Sequence, residues 1–289
     1  MKKPFFSGVC TALVTPFLDG HVNYPMMEVL LRRQMDAGIP AVVICGTTGE
    51  SPTLSDEEKL ELFRRCKAFA GKDCMIIAGT GSNSTEHTIA LSKAAQDQGV
   101  DGLLIVSPYY NKATPAGLTA HYRVIANSVD IPIIAYNVPS RTGVDIPVSV
   151  YKELSAIENI AGIKEASSDI CKITRIRHLC GDDFSIWSGN DEQAVPVISL
   201  GGAGIISVLS NIFPTEMQAM VLAAIAGDFD TAAELQAHFL PLTDLLFSEV
   251  NPIPVKAAMK YIGYDCGNCR MPLTPLSAEL AKKLKAILT

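Results

Sequence analysis

The stretch Ile160-Ala-Gly-Ile-Lys-Glu-Ala-Ser167 is a short apolar run that ends abruptly in charged and small polar residues. A run this short, bounded by turn signals, reads as a buried strand of a parallel sheet. Seven similar runs lie at residues 9–13, 41–45, 75–78, 102–106, 133–136, 185–188 and 204–208. A helical pattern follows each. Several helix starts are marked: Ser55 with Glu58 forms a capping box, Thr114-Pro115 puts proline at the first helical position, and Ser168 precedes Asp169 before an apolar-periodic stretch. Strand starts recur at about 20–35 residues, the spacing of β-α units, and eight such units close naturally into a (β/α)8 or TIM barrel. An open, doubly wound sheet is the structural alternative. After Ile225 only helical patterns remain, at 229–247, 254–262 and 277–288. The expected organisation is a barrel over residues 1–225 with a helical C-terminal extension over 226–289.

The net charge of −6, from 24 basic and 30 acidic residues without long runs of either sign, argues against a nucleic-acid partner. The opening Met1-Lys-Lys-Pro-Phe-Phe-Ser-Gly has a basic pair but no apolar stretch or small-residue cleavage site, so no secretory signal is expected. No uninterrupted apolar run reaches the roughly 18 residues needed to cross a bilayer. Residues 195–214 come nearest, and their glycines and polar residues suit a strand with its turns. Eight scattered cysteines read as reduced thiols of a cytoplasmic protein, and Cys266-Gly-Asn-Cys269 has no second pair or nearby histidine to make a zinc site.

Reactive groups in such barrels gather at the C-terminal ends of the strands and in the loops that follow. Lys164 closes its strand, where desolvation disfavours the ammonium and favours a neutral amine able to attack a carbonyl. The blander alternative is a salt bridge to Glu165. Lys256, in Asn251-Pro-Ile-Pro-Val-Lys, is the rival lysine but follows no strand signal. In Ile133-Ile-Ala-Tyr-Asn-Val-Pro-Ser-Arg-Thr-Gly143, Tyr136 ends the adjacent strand and its phenol can pass protons. Arg141, in the loop beyond, can hold a carboxylate by paired hydrogen bonds. The alternatives are a packed tyrosine and a surface arginine. Gly46-Thr-Thr-Gly-Glu-Ser51 follows a strand and offers backbone amides and two hydroxyls for an anion, or else is a tight turn; it lacks the spacing of a P-loop. Tyr109 and Tyr110 read as exposed aromatics for a ligand or a partner subunit, with packing under the loop as an equal alternative. Glycines in Ser188-Gly-Asn-Asp191 and Gly201-Gly-Ala-Gly-Ile-Ile206 can line a site with backbone. No histidine has metal-ligand spacing and no serine sits in a nucleophile elbow.

Gly46-Thr-Thr-Gly-Glu, Tyr136-Asn-Val-Pro-Ser-Arg-Thr-Gly and Gly162-Ile-Lys-Glu-Ala together resemble the dihydrodipicolinate synthase family, from about Gly8 onward, and Asn251-Pro-Ile-Pro-Val-Lys and Met271-Pro-Leu-Thr-Pro add to the likeness. The resemblance implies a homotetramer, a dimer of dimers, that condenses pyruvate with aspartate 4-semialdehyde on the route to diaminopimelate and lysine. It implies Lys164 as the Schiff-base lysine and Tyr136, Thr47 and Tyr110 as a proton relay, with Tyr110 supplied by a neighbouring subunit. Thr48 would bind the pyruvate carboxylate, Gly189 and Ile206 would line the site through their backbones, and Arg141 would receive the aldehyde's carboxylate. No cofactor or metal is implied. Sialic-acid lyases and sugar-acid aldolases of the wider superfamily share the lysine and tyrosine, while Arg141 suits an amino-acid-like aldehyde. In lysine-inhibited members an allosteric site matches Ser51, Asn83 and Tyr109. This chain departs from that pattern at Lys59, where histidine is typical, and at His87, where glutamate is, so weak or absent inhibition is expected.

Overall fold

The computed structural model describes residues 3–288. Eight short strands form its centre: β1 (Gly8–Ala12), β2 (Ala41–Ile44), β3 (Met75–Gly79), β4 (Gly102–Val106), β5 (Ile133–Asn137), β6 (Ile160–Glu165), β7 (Ser185–Ser188) and β8 (Gly204–Ser207). Almost every position in them is buried. Side chains alternate across a strand, so strands buried on both faces need apolar residues at both parities. One parity, including Cys10, Val43, Ile77, Leu104, Ile134 and Trp187, fills the barrel interior. The other, including Val9, Val42, Ile76, Leu103, Ile133 and Ile163, packs with the surrounding helices.

All neighbouring pairs are parallel, and β1 pairs with both β8 and β2. That closure excludes the open-sheet alternative, because a closed sheet leaves no unpaired edge. The seam needs glycine: Gly8 lies opposite Gly204, Gly204 has φ of +148°, and a Cβ there would stand 2.0 Å from the Gly8 carbonyl oxygen. Phe6 stacks on Trp187 with ring centroids 4.7 Å apart and adds to the interior packing.

The helix starts follow local chemistry. Ser55 accepts from the Glu58 N–H while Glu58 accepts from the Ser55 N–H, completing the expected box ahead of helix Asp56–Ala70. Thr114 caps Pro115–Ala126. The cap of Ile170–Cys180 is Asp169, whose carboxylate accepts from the Cys171 and Lys172 N–H groups. Two local readings change. Residues 195–214 contain most of a short helix, Ala194–Ser199, as well as β8. Arg141, expected in a loop, sits on a helical turn, Pro139–Thr142, that starts immediately after Val138. Among the described residues no helix is long and apolar enough to cross a membrane.

Helices Phe229–Phe247, Ile253–Tyr261 and Ala278–Leu288 follow the last barrel helix, Pro214–Ala226. Their segment reaches back to the loop after β2. Lys256 is buried, with its Nζ 2.9 Å from Glu50 Oε1 and donating to the carbonyls of Thr15 (3.1 Å) and Asn268 (3.3 Å). Glu50 Oε2 accepts from the Arg270 N–H at 2.8 Å, and the Arg270 guanidinium is bidentate to Glu58. Lys256 is thus committed to an ion pair and is no rival nucleophile. Removing one partner of a buried pair strands the other charge in a medium that cannot solvate it. Lys256→Met is expected to lower unfolding free energy by about 3–5 kcal/mol in urea titrations; a loss under about 1 kcal/mol would show the pair to be dispensable.

Candidate active site

Tyr136 and Lys164 are register partners on β5 and β6, and so are Asn137 and Glu165 one step further along. Alternation then sends Tyr136 and Lys164 into the barrel and Asn137 and Glu165 outward. Both inward residues are buried, and Lys164 Nζ lies 4.4 Å from the centroid of the Tyr136 ring.

The expected alternative for Lys164, an ion pair with Glu165, is not made. Glu165 Oε1 accepts from Asn137 Nδ2 and from the Ser167 N–H, each at 2.8 Å, and its Oε2 accepts from the Tyr151 hydroxyl at 2.8 Å. Its cationic neighbour is Lys172, at 3.7 Å. Among the described residues Lys164 forms no ion pair. The buried carboxylate that feels its charge is Asp191, which accepts from Ser207 Oγ (2.5 Å) and from the N–H groups of Val208 (3.0 Å) and Leu209 (3.1 Å). Burial pushes the Asp191 carboxyl up from its ordinary range, against the pull of those hydrogen bonds and of the Lys164 charge. In the sequence, this segment stands out only for its glycine.

A cavity of about 200 Å³ opens above this pair, lined by Lys164, Tyr136, Thr47, Thr48, Arg141 and Gly189, among others. Gly189 lies so close that a Cβ on it would stand 3.1 Å from Lys164 Cε and 2.7 Å from Ala166 Cβ. Thr48 is buried, and its Oγ1 accepts from Asn251 Nδ2 at 3.0 Å, while the Asn251 carbonyl accepts from Arg141 Nη2 at 3.1 Å. Asn251 therefore joins two of the expected carboxylate binders. Its role was not read from the sequence, since it lies beyond the last strand and reaches the barrel mouth only through the fold of the C-terminal segment.

Two expected residues stand apart from this cavity. Ile206 is fully buried in the interior layer with Tyr136 and Trp187, and Val208 supplies the lining from that direction. Tyr110 is 92% exposed with φ of +70°, a left-handed conformation unusual for a tyrosine, and does not reach its own barrel's cavity. Tyr109, expected to be exposed, is half-buried.

A second cavity, of about 610 Å³, shares Thr47, Tyr136 and Arg141 with the first and extends past Ser51, Asn83, Tyr109, Lys59 and His87. One carboxylate serves Lys59 and His87: Asp56 accepts from Lys59 Nζ at 3.1 Å and pairs with His87 Nε2 at 2.8 Å. Burial works to raise the Asp56 carboxyl, but the His87 and Lys59 hydrogen bonds outweigh it and hold it below the usual carboxylate range. Among the described residues no group of three or more histidine, cysteine or acidic side chains is arranged to hold a metal ion.

A buried primary amine beside a phenol, with hydroxyls and a guanidinium around one small cavity, is equipped for imine chemistry on a carboxylate-bearing carbonyl compound. Comparison with known proteins agrees. Residues 5–289 match the dihydrodipicolinate synthetase family. The 4-hydroxy-tetrahydrodipicolinate synthase of Thermoanaerobacter sp. (strain X514) is 44% identical over 287 residues, covering 99% of this chain and 97% of that protein. Among solved structures, dihydrodipicolinate synthase from Aquifex aeolicus is 42% identical, with a TM-score of 0.96 over 98% of this chain and 97% of that one. The chloride-inhibited dihydrodipicolinate synthase from Acinetobacter baumannii, complexed with pyruvate, is also 42% identical, with a TM-score of 0.96 over 98% of each chain. With matches of this extent and a barrel mouth holding the residues that first suggested it, the chain belongs to the dihydrodipicolinate synthetase family.

Proposed function

We propose that the chain has 4-hydroxy-tetrahydrodipicolinate synthase activity, condensing pyruvate with L-aspartate 4-semialdehyde on the route to diaminopimelate and lysine. The observation that carries this reading is the Lys164 amine held 4.4 Å from the Tyr136 ring centroid at a cavity that Arg141 also lines. The Lys164 amine attacks the keto carbon of pyruvate, and loss of water from the carbinolamine leaves an imine. That imine is an electron sink, so the methyl group gives up a proton and becomes an enamine whose carbon attacks the aldehyde. The Tyr136 phenol, with Thr47 and Tyr110, relays protons during imine formation and release. Thr48 binds the pyruvate carboxylate, the backbone of Gly189 lines the site, and Arg141 binds the carboxylate of the second substrate.

Tyr110 belongs in this scheme to a neighbouring subunit's site, a role supported by its exposure on its own chain. The assembly we propose is a homotetramer built as a dimer of dimers, in the cytoplasm. Residues 1–225 form its catalytic barrel, and the helical appendage over 226–289 contributes Asn251.

Three measurements test the reading. Borohydride with pyruvate is expected to leave a covalent adduct by intact mass on the native chain and none on Lys164→Ala; an adduct that persists in Lys164→Ala would rule out this lysine. Turnover with aspartate semialdehyde should exceed turnover with sugar-acid aldehydes, and the reverse preference would reassign the substrate. Gly189→Ala intrudes on Lys164 Cε and should cut kcat/KM for pyruvate by about tenfold or more, with an unchanged circular dichroism spectrum. Unimpaired catalysis there would remove Gly189 from the lining.

The larger cavity bears on feedback control. Asp56 is already shared by Lys59 and His87, so an incoming lysine ammonium meets like charge and no free carboxylate from either position. Lysine inhibition is therefore expected to be weak or absent. Half-maximal inhibition at sub-millimolar lysine would contradict this.

A further inference from the structure

Behind the Lys164–Tyr136 pair, on the helix side of the same two strands, lies a polar cluster in an otherwise apolar layer. Glu165 is 3% exposed and Asn137 is fully buried. Asn137 is oriented by the backbone, since its Oδ1 accepts from the Ile146 N–H at 3.0 Å, which leaves Nδ2 to donate to both Glu165 Oε1 and Asp145 Oδ1 at 2.8 Å. Lys172, from helix Ile170–Cys180, pairs with Asp145 and stands 3.7 Å from Glu165 Oε2. Tyr151, from helix Val148–Ser155, donates its hydroxyl to the same oxygen at 2.8 Å. Burial and the neighbouring carboxylate push the Tyr151 phenol well above its ordinary range, so it remains a donor.

As a device for stability this cluster is poor, because desolvating a carboxylate and an ammonium costs several kcal/mol each, roughly what their pairing returns. Its geometry suits another task. Asn137 and Glu165 are the outward register partners one step beyond Tyr136 and Lys164, at the strand ends, where their carbonyls accept from the N–H groups of Ala166 (2.9 Å) and Gly189 (2.8 Å). The Ser167 N–H on Glu165 Oε1 and the Ile146 N–H on Asn137 Oδ1 tie in the two segments that follow.

We propose that Glu165 is a positioning residue: its carboxylate, held by Asn137, Ser167, Tyr151 and Lys172, clamps the ends of β5 and β6 so that the Lys164 amine and the Tyr136 phenol meet. The inference rests on the Schiff-base reading of Lys164. A displacement of about 1 Å between reacting groups can cost up to about a hundredfold in rate, so a clamp need move little to matter.

The test is Glu165→Gln. The amide keeps the side-chain volume and an acceptor for Asn137 and Ser167, but turns an N–H donor toward Lys172 and Tyr151. The folded variant, assayed well below its melting temperature, is expected to lose about tenfold in kcat, with KM for each substrate within about threefold of the native value. The rate of borohydride trapping with pyruvate should fall in parallel. Tyr151→Phe, which removes one tie outside the cavity, should give the same pattern at about threefold, and decides the matter if Glu165→Gln does not fold. A variant that traps and turns over at the native rate, whatever its melting temperature, would show that the cluster only contributes to folding and overturn the inference. Failure of the native chain to trap pyruvate would instead overturn the Schiff-base reading on which it rests.

Discussion

Beyond a register shift at Ile133/Ile134, the pairing of β5 with β6 puts Tyr136 beside Lys164 inside the barrel and Asn137 beside Glu165 outside it. A slip of one residue would exchange the two faces, sending the amine among the helices and a carboxylate into the cavity. Apolar neighbours resist such a slip, because Ile134 and Trp187 fill the interior while Ile133, Ile163 and Ile186 pack with the helices. The polar cluster at the strand ends adds directional contacts to that packing. The position of the amine is thus a consequence of how the barrel closes, and strands apolar at both parities let one face fill the interior while the other packs with the helices.

The mouth of the barrel is completed from far along the chain. Asn251 links Thr48 to Arg141, and Lys256 with Arg270 anchors Glu50 at the end of the loop that carries Thr47 and Thr48. Glu50 itself has φ of +58°, and Cys45 at the other end of that loop has φ of +57°. Left-handed backbone at residues with a Cβ carries a steric cost and persists where surrounding contacts over-determine it. The C-terminal segment supplies those contacts at Glu50, so the loop that carries the Thr47 and Thr48 hydroxyls and the tail form one mechanical unit.

The adjoining larger cavity is continuous in its lining with the candidate site. It touches that site through Thr47, Tyr136 and Arg141, so any occupant would border those three side chains. On its far side Lys59 and His87 share the carboxylate of Asp56.

Much of this was legible in the sequence because local physics determined it. All eight strands lie within one or two residues of the runs that announced them, since a short run buried on both faces has to be continuously apolar, and Ser55 with Glu58 and Thr114 with Pro115 cap the helices they precede. Lys164 and Tyr136 were visible as polar endings to apolar strands. Tertiary structure decided whatever depends on direction or distance. It turned Glu165 away from Lys164 and toward Tyr151 and Lys172, gave Lys256 a buried partner 206 residues away in Glu50, and brought Asn251 from the tail to Thr48. It also left Tyr110 facing outward from its own barrel. A strand's pattern states which residues are buried, but only the closed barrel states which groups they are buried against.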